Sequence, residues 1–177
     1  MDRGMEFLKS QVNNAVMQHE TFVKNLVDHE SQAEDPRFRN LCSKYIPIMQ
    51  AHQRMLEDYQ RELGAEAGAG KKVLGKALGM ARDLADAARE SDFLRLVGDI
   101  VTARQSEDTF KTFREAGRQL GIQQLADIGE KCERDHDRYA DEANRLVQQL
   151  FVEHVRGTPE AGVRNQTSAS AESSVGR

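Results

Sequence analysis

Four ionisable side chains stand at the middle of apolar stripes in this 177-residue chain: His19, His52, Glu107 and His136. Glu133 precedes His136 by three residues, so both side chains can face one point from adjacent turns of a helix. Imidazole nitrogens and carboxylate oxygens are the donors that transition metals take from proteins. A buried ionisable group is costly unless it pairs with another or holds a metal. The chemistry open to this set is therefore metal binding or, as the alternative, a metal-free polar cluster. A lone histidine on an apolar face is ordinarily a satisfied core residue, so the weight lies on four helices carrying such a residue at one height.

The elements that would position these groups follow from periodicity. Leu8, Val12, Ala15, Val16, His19, Phe22, Val23 and Leu26 recur at helical spacing and predict a helix from about Glu6 to Ser31. In "EDPRF", Asp35 can cap and Pro36 fits a first helical position, opening a second helix that reaches Leu63. Its face is Phe38, Leu41, Tyr45, Ile48, His52, Met55, Leu56 and Tyr59, with Pro47 inside it as a predicted kink or missing backbone bond. An Ala- and Gly-rich segment, Lys71 to Glu90, reads as a further helix. Its stripe is out of phase with the next one, which places a break near "ESD". The third main helix runs from Asp92 to Leu120 with Phe93, Leu96, Ile100, Ala103, Glu107 and Phe110 inward, and Gly121 stops it. The fourth runs from Ile122 to Val155 through Leu125, Ile128, Cys132, His136, Tyr139, Ala143, Leu146 and Leu150.

Heights along these helices bring the groups level. His19 and His52 lie 15 and 18 residues from Glu34, a difference of about 4–5 Å along the axes. Glu107 and His136 lie 14 and 15 residues from Gly121, a difference of about 1.5 Å. The expected fold is all-α: a four-helix bundle of two hairpins over residues 1–156, joined by a long crossover that contains the extra helix. Residues 157–177, Ser-, Gly- and Ala-rich without periodicity, read as a disordered tail.

Other chemistries find little support. "GAEAGAGKK" has Ala65 and Lys72 where a phosphate-binding loop needs Gly and Ser or Thr, and no strand signal precedes it. No histidine has Glu or His four residues on, which a haemerythrin-like bundle requires. No Ser or Cys stands in a nucleophile motif, so a hydrolytic or nucleophilic enzyme has little support. Cys42 and Cys132 fall on helical stripes and read as reduced core thiols. A net charge of −4 with both signs interspersed leaves no electrostatic footprint for nucleic acid. No apolar run reaches the length of a membrane span and "MDRGMEFLKS" lacks a signal-peptide core, so a cytoplasmic location is expected. "NQT" at Asn165 is then a chance match to a glycosylation site.

With these residues in place, the layout resembles the ferritin-like superfamily, and more closely its YciF-like branch of small stress-associated proteins. The resemblance is carried by "EDPRF", "MLEDYQRELG", "FREAGRQLG" and "EKCERDHDRYADEANRL". It implies His52, Glu107, Glu133 and His136 as metal ligands, with His19 completing the shell. It also implies iron, manganese or zinc as the metal, a stress-related role and a homodimer. The chain departs from the family pattern at Met49, where a second Glu-x-x-His would have its Glu, and on helix 1, where His19 is central and Glu20 points about 100° away. Bridging carboxylates for two irons are thus missing, and one mixed His/Glu site is the expectation. The rival is a metal-free bundle serving as an interaction or structural module with a vestigial site.

Overall fold

The computed structural model describes residues 3–65 and 91–157. Over these the chain is all-helical: α1 (Arg3–Gln32), α2 (Pro36–Glu62), α3 (Asp92–Leu120) and α4 (Gln123–Gly157). The helix expected over residues 71–90 and the tail lie outside the described residues. No helix among those described is long and apolar enough to cross a membrane.

The turns form as their residue types dictate. Asp35 is extended, and its side chain accepts the Arg37 backbone N–H at 2.8 Å, with Pro36 in the first turn. Ser91 caps α3 by accepting the Leu94 N–H at 3.3 Å. Gly121 closes α3 at φ 70°, a left-handed conformation that glycine adopts without steric cost, and the Ile122 N–H returns to the Gly117 carbonyl. Pro47 is exposed and α2 continues through it.

Contacts between the ends define the topology. The Asp92 carboxylate accepts the Asp35 N–H at 2.6 Å, and Arg95 donates to the Gln32 carbonyl at 3.2 Å. The start of α3 therefore sits beside the α1–α2 turn, while α2 ends at the opposite end of the bundle. There Gln124 donates to Glu62 at 2.6 Å. The order is up-down-down-up: α1 packs against α2 and α3, and α4 against α2 and α3, each antiparallel to its neighbours.

Inside, the innermost positions alternate spacings of three and four on each of the four described helices. They are Val12, Ala15, His19, Phe22 and Leu26 on α1, and Phe38, Cys42, Tyr45, Met49, His52, Leu56 and Tyr59 on α2. On α3 they are Leu96, Asp99, Ala103, Ser106, Phe110, Phe113 and Gly117. On α4 they are Leu125, Gly129, Cys132, His136, Tyr139, Ala143 and Leu146. Heptad spacing of this kind belongs to bundles whose helices cross at about 20°. On α3 the buried face departs from the expected stripe, because the inward positions are Asp99 and Ser106 and not Ile100 and Glu107. Both cysteines are buried and free, and burial pushes their thiols up.

The core has two halves. One contains Phe22, Leu26, Phe38, Tyr45, Met49, Leu96, Ala103 and Tyr139. The other contains Val12, Val16, Leu56, Tyr59, Phe110, Leu125 and Cys132. On each helix the polar residue of the intervening layer separates them: His19, His52, Ser106 and His136.

The second hairpin is drawn tight by glycine. A Cβ on Gly129 would fall within 3 Å of the Arg114 backbone and the Phe110 carbonyl, and one on Gly117 within 3 Å of the Ala126 backbone. Replacing a mid-helix glycine by alanine gains about 1 kcal/mol of helix propensity. Here the obstacle is backbone, which cannot rotate aside, and overpacking costs about 1–3 kcal/mol or more. Gly129→Ala is predicted to lower the unfolding free energy by about 1–2 kcal/mol in urea titration, whereas Gly98→Ala, with open space around it, should leave it unchanged or raise it.

Candidate metal centre

The α1, α2 and α4 registers bring His19, His52 and His136 together. One ring nitrogen from each lies within 4.8 Å of the others. Ring centroids are 5.1 Å apart for His19–His136, 5.9 Å for His52–His136 and 6.1 Å for His19–His52. All three are buried, at 1%, 0% and 0% exposure. Phe110 lies against His136 at 5.0 Å and His19 at 5.9 Å, and Phe22 against His136 at 5.5 Å. The surface groove between α2 and α4, around Lys44 and Glu142, includes none of these residues.

Each imidazole has one nitrogen fixed as a donor. His136 Nδ1 lies 2.7 Å from the Cys132 carbonyl, which only accepts, so that nitrogen carries the proton. His52 Nε2 donates to the Asp135 carboxylate at 3.1 Å. His19 Nδ1 donates to Gln53 Oε1 at 2.9 Å, and the Gln53 amide is oriented by its own donation to Glu57 at 2.8 Å. The remaining nitrogens, His19 Nε2, His52 Nδ1 and His136 Nε2, are buried lone pairs without partners. Metal-binding histidines have this arrangement: the second N–H goes to a carboxylate or carbonyl, fixing tautomer and ring orientation.

Burial also keeps the rings neutral. Desolvation lowers His19 to about 4, opposed by its bond to Gln53. His52 is lowered by burial against the pull of Asp135, and His136 is held well below the usual range by burial and then by His19. A neutral imidazole is the metal-binding form.

Comparison with protein-family models, with curated proteins and with solved structures gives no match. Site chemistry therefore rests on these residues alone.

The expected carboxylates stand elsewhere. Glu107 is one position off the buried register and is held by Arg104 at 2.7 Å, in a cluster with Asp137 and Asp141. Glu133, one turn before Asp137 on α4, is paired with Arg114 of α3. In place of the mixed His/Glu set, the converging group is three histidines. Sequence reasoning missed Gln53 and Asp135. Each sits next to one cluster histidine in the chain and orients a different one: Gln53 follows His52 and holds His19, while Asp135 precedes His136 and holds His52. Polar residues flanking a buried histidine by one position were the available signal.

The shifted histidines set a pH dependence. In the unfolded chain a histidine protonates near 6.5, whereas in the fold His19 does so only near 4. The unfolded state therefore binds more protons between these values, and stability falls as pH drops through that window. Each buried histidine contributes up to about 1.4 kcal/mol per pH unit. Chemical denaturation in chelator should show stability level above pH 7 and declining from about pH 6.5 towards 4. The His19→Leu/His136→Leu variant should lose most of that slope; an unchanged slope would contradict the neutral burial of these rings.

Proposed function

We propose that the protein is a metal-binding four-helix bundle that holds one transition-metal ion at the meeting point of His19, His52 and His136. The observation that carries this reading is the convergence of three buried histidines, each with one nitrogen without a partner and the other hydrogen-bonded. An unpartnered buried acceptor costs about 1–3 kcal/mol, and a bound cation would satisfy all three at once. A tetrahedral ion with nitrogens at about 2.1 Å places its donors about 3.4 Å apart. The widest pair of nitrogens would thus close by roughly 1.4 Å on binding, a shift that side-chain rotation supplies.

Donor type narrows the metal. Three imidazoles suit zinc, iron, copper or nickel, and they favour manganese less because it prefers oxygen. The Asp135 carboxylate, reached through His52, offsets part of the buried positive charge. The rings are enclosed, so a bound ion would present no open face to a large substrate. Retention of the ion and metal-linked stability are the activities this geometry favours. The up-down-down-up helix order supports the ferritin-like reading, and with it a stress-related role and a cytoplasmic homodimer as expectations of resemblance.

A metal-free interaction module is the second reading. Its support is the ion pairing of Glu107 and Glu133 with arginines and the apolar Met49, which is fully buried. A polar layer in a bundle can serve register alone.

Metal analysis of untagged full-length protein, incubated with zinc or iron(II) and desalted, should find about one equivalent per chain. Metal at about 100 times its Kd should raise the unfolding free energy by about 2.7 kcal/mol. His52→Leu/His136→Leu should abolish both effects while remaining helical. Uptake below about a tenth of an equivalent by the unaltered protein, with no change in its stability, would establish the metal-free reading instead.

A further inference from the structure

The central layer takes one residue from every helix, and α3 contributes Ser106. Ser106 and His136 are each 15 residues from Gly121 across the α3–α4 turn, which sets them at one height. Ser106 also separates Ala103 from Phe110, members of the two core halves, as the histidines do on their helices. Its side chain is buried at 2% exposure and its Oγ has no hydrogen-bond partner.

That missing partner is informative. A serine or threonine inside a helix normally donates to the carbonyl four residues back. Three neighbours on α3 do so: Thr102 to Gly98 at 3.0 Å, Thr109 to Gln105 at 3.1 Å and Thr112 to Asp108 at 2.9 Å. Ser106 makes no such bond although it is better buried than any of them. The other polar residue on the buried face of α3, Asp99, is engaged by His29 at 2.9 Å and Tyr139 at 3.2 Å. Both bonds fall on Asp99 Oδ2, which leaves its Oδ1 unpartnered but one turn or more away from the histidines in the chain; Ser106 Oγ, level with His136, has no partner at all.

We infer that Ser106 is the fourth ligand of the centre. Its hydroxyl oxygen coordinates through a lone pair and keeps its proton, and no bond breaks. This inference rests on the metal reading above and deepens it. Three imidazoles and one hydroxyl, one from each helix, make a closed four-coordinate shell. Ions content with tetrahedral N and O donors, zinc and cobalt(II), fit that shell, whereas ions that require six ligands do not. The position also explains why Glu107 is not needed: α3 presents position 106 to the layer and turns position 107 towards Arg104.

The test uses untagged full-length protein titrated with cobalt(II), whose visible absorption reports coordination number. The unaltered protein should show the intense visible bands of a four-coordinate ion. Ser106→Cys places a thiolate at the same point and should add a near-ultraviolet sulfur-to-cobalt charge-transfer band. The unaltered protein, with Cys42 and Cys132 present, should lack that band and so serves as the control. Ser106→Ala should weaken cobalt binding at least about tenfold and change the visible bands. If Ser106→Cys does not fold, Ser106→Ala decides alone by affinity and spectrum. Cobalt binding with no sulfur band in Ser106→Cys, and an unchanged spectrum and affinity in Ser106→Ala, would remove Ser106 from the site and leave the three-histidine centre standing. Failure of the unaltered protein to take up cobalt(II) or zinc would overturn the metal reading and this inference with it.

Discussion

Three histidines buried together, each with one ring nitrogen left without a partner, are the constraint around which the bundle is built. Neutral imidazoles in a dry layer cannot satisfy each other when each has already spent its only N–H outward. The layer is stable only while each outward bond is kept, because a ring that loses its partner leaves two unpaired polar nitrogens in place of one. Those outward bonds set the rotation of the helices. His136 is held by its own helix through the Cys132 carbonyl. His52 is held from α4 by Asp135, and His19 from α2 by Gln53. A turn of α1 or α2, or of α4 against α2, would break at least one of them.

This cross-bracing also explains the division of the core. Aliphatic and aromatic side chains fill most of the heptad positions on both sides of the layer, with Asp99 the buried charged exception. Phe22 and Phe110 pack against the rings from either side. The α3–α4 seam is closed by Gly117 and Gly129, where backbone meets backbone. The polar layer therefore sits between two conventional apolar cores that can hold the helices in place. Such a layer costs stability in itself; its hydrogen bonds align the helices, and its three histidines stand close enough together to hold a metal ion.

Much of the architecture was legible from the chain. "EDPRF" contains both the cap and the first-turn proline, and the helix boundaries they predict at Pro36 are those observed. Gly121 stops α3 because a left-handed residue is needed there. The three histidines could be placed at one height because helical rise is constant and the turns are short. The phase of α3 was not legible. Ile100 and Glu107 continue an apolar rhythm from Phe93 as well as Asp99 and Ser106 do, and periodicity favours apolar residues. Asp99 is buried because His29 and Tyr139, on two other helices, supply its hydrogen bonds, and no pattern within α3 contains that information.

The sequence by itself determined that four amphipathic helices exist, where they begin and end, and that a histidine stands near the midpoint of three of them. These are local properties, set by propensity, capping and the fixed rise of the helix. Tertiary structure alone decided which polar groups meet. Glu107 and Glu133 are drawn to Arg104 and Arg114, Ser106 is turned inward, and Gln53 and Asp135 are set behind the rings. The physical reason is that a helix of fixed sequence can be rotated by one residue's worth of phase at little local cost. The choice among those rotations is made by partners on other helices, through the cost of leaving any buried polar atom unpaired.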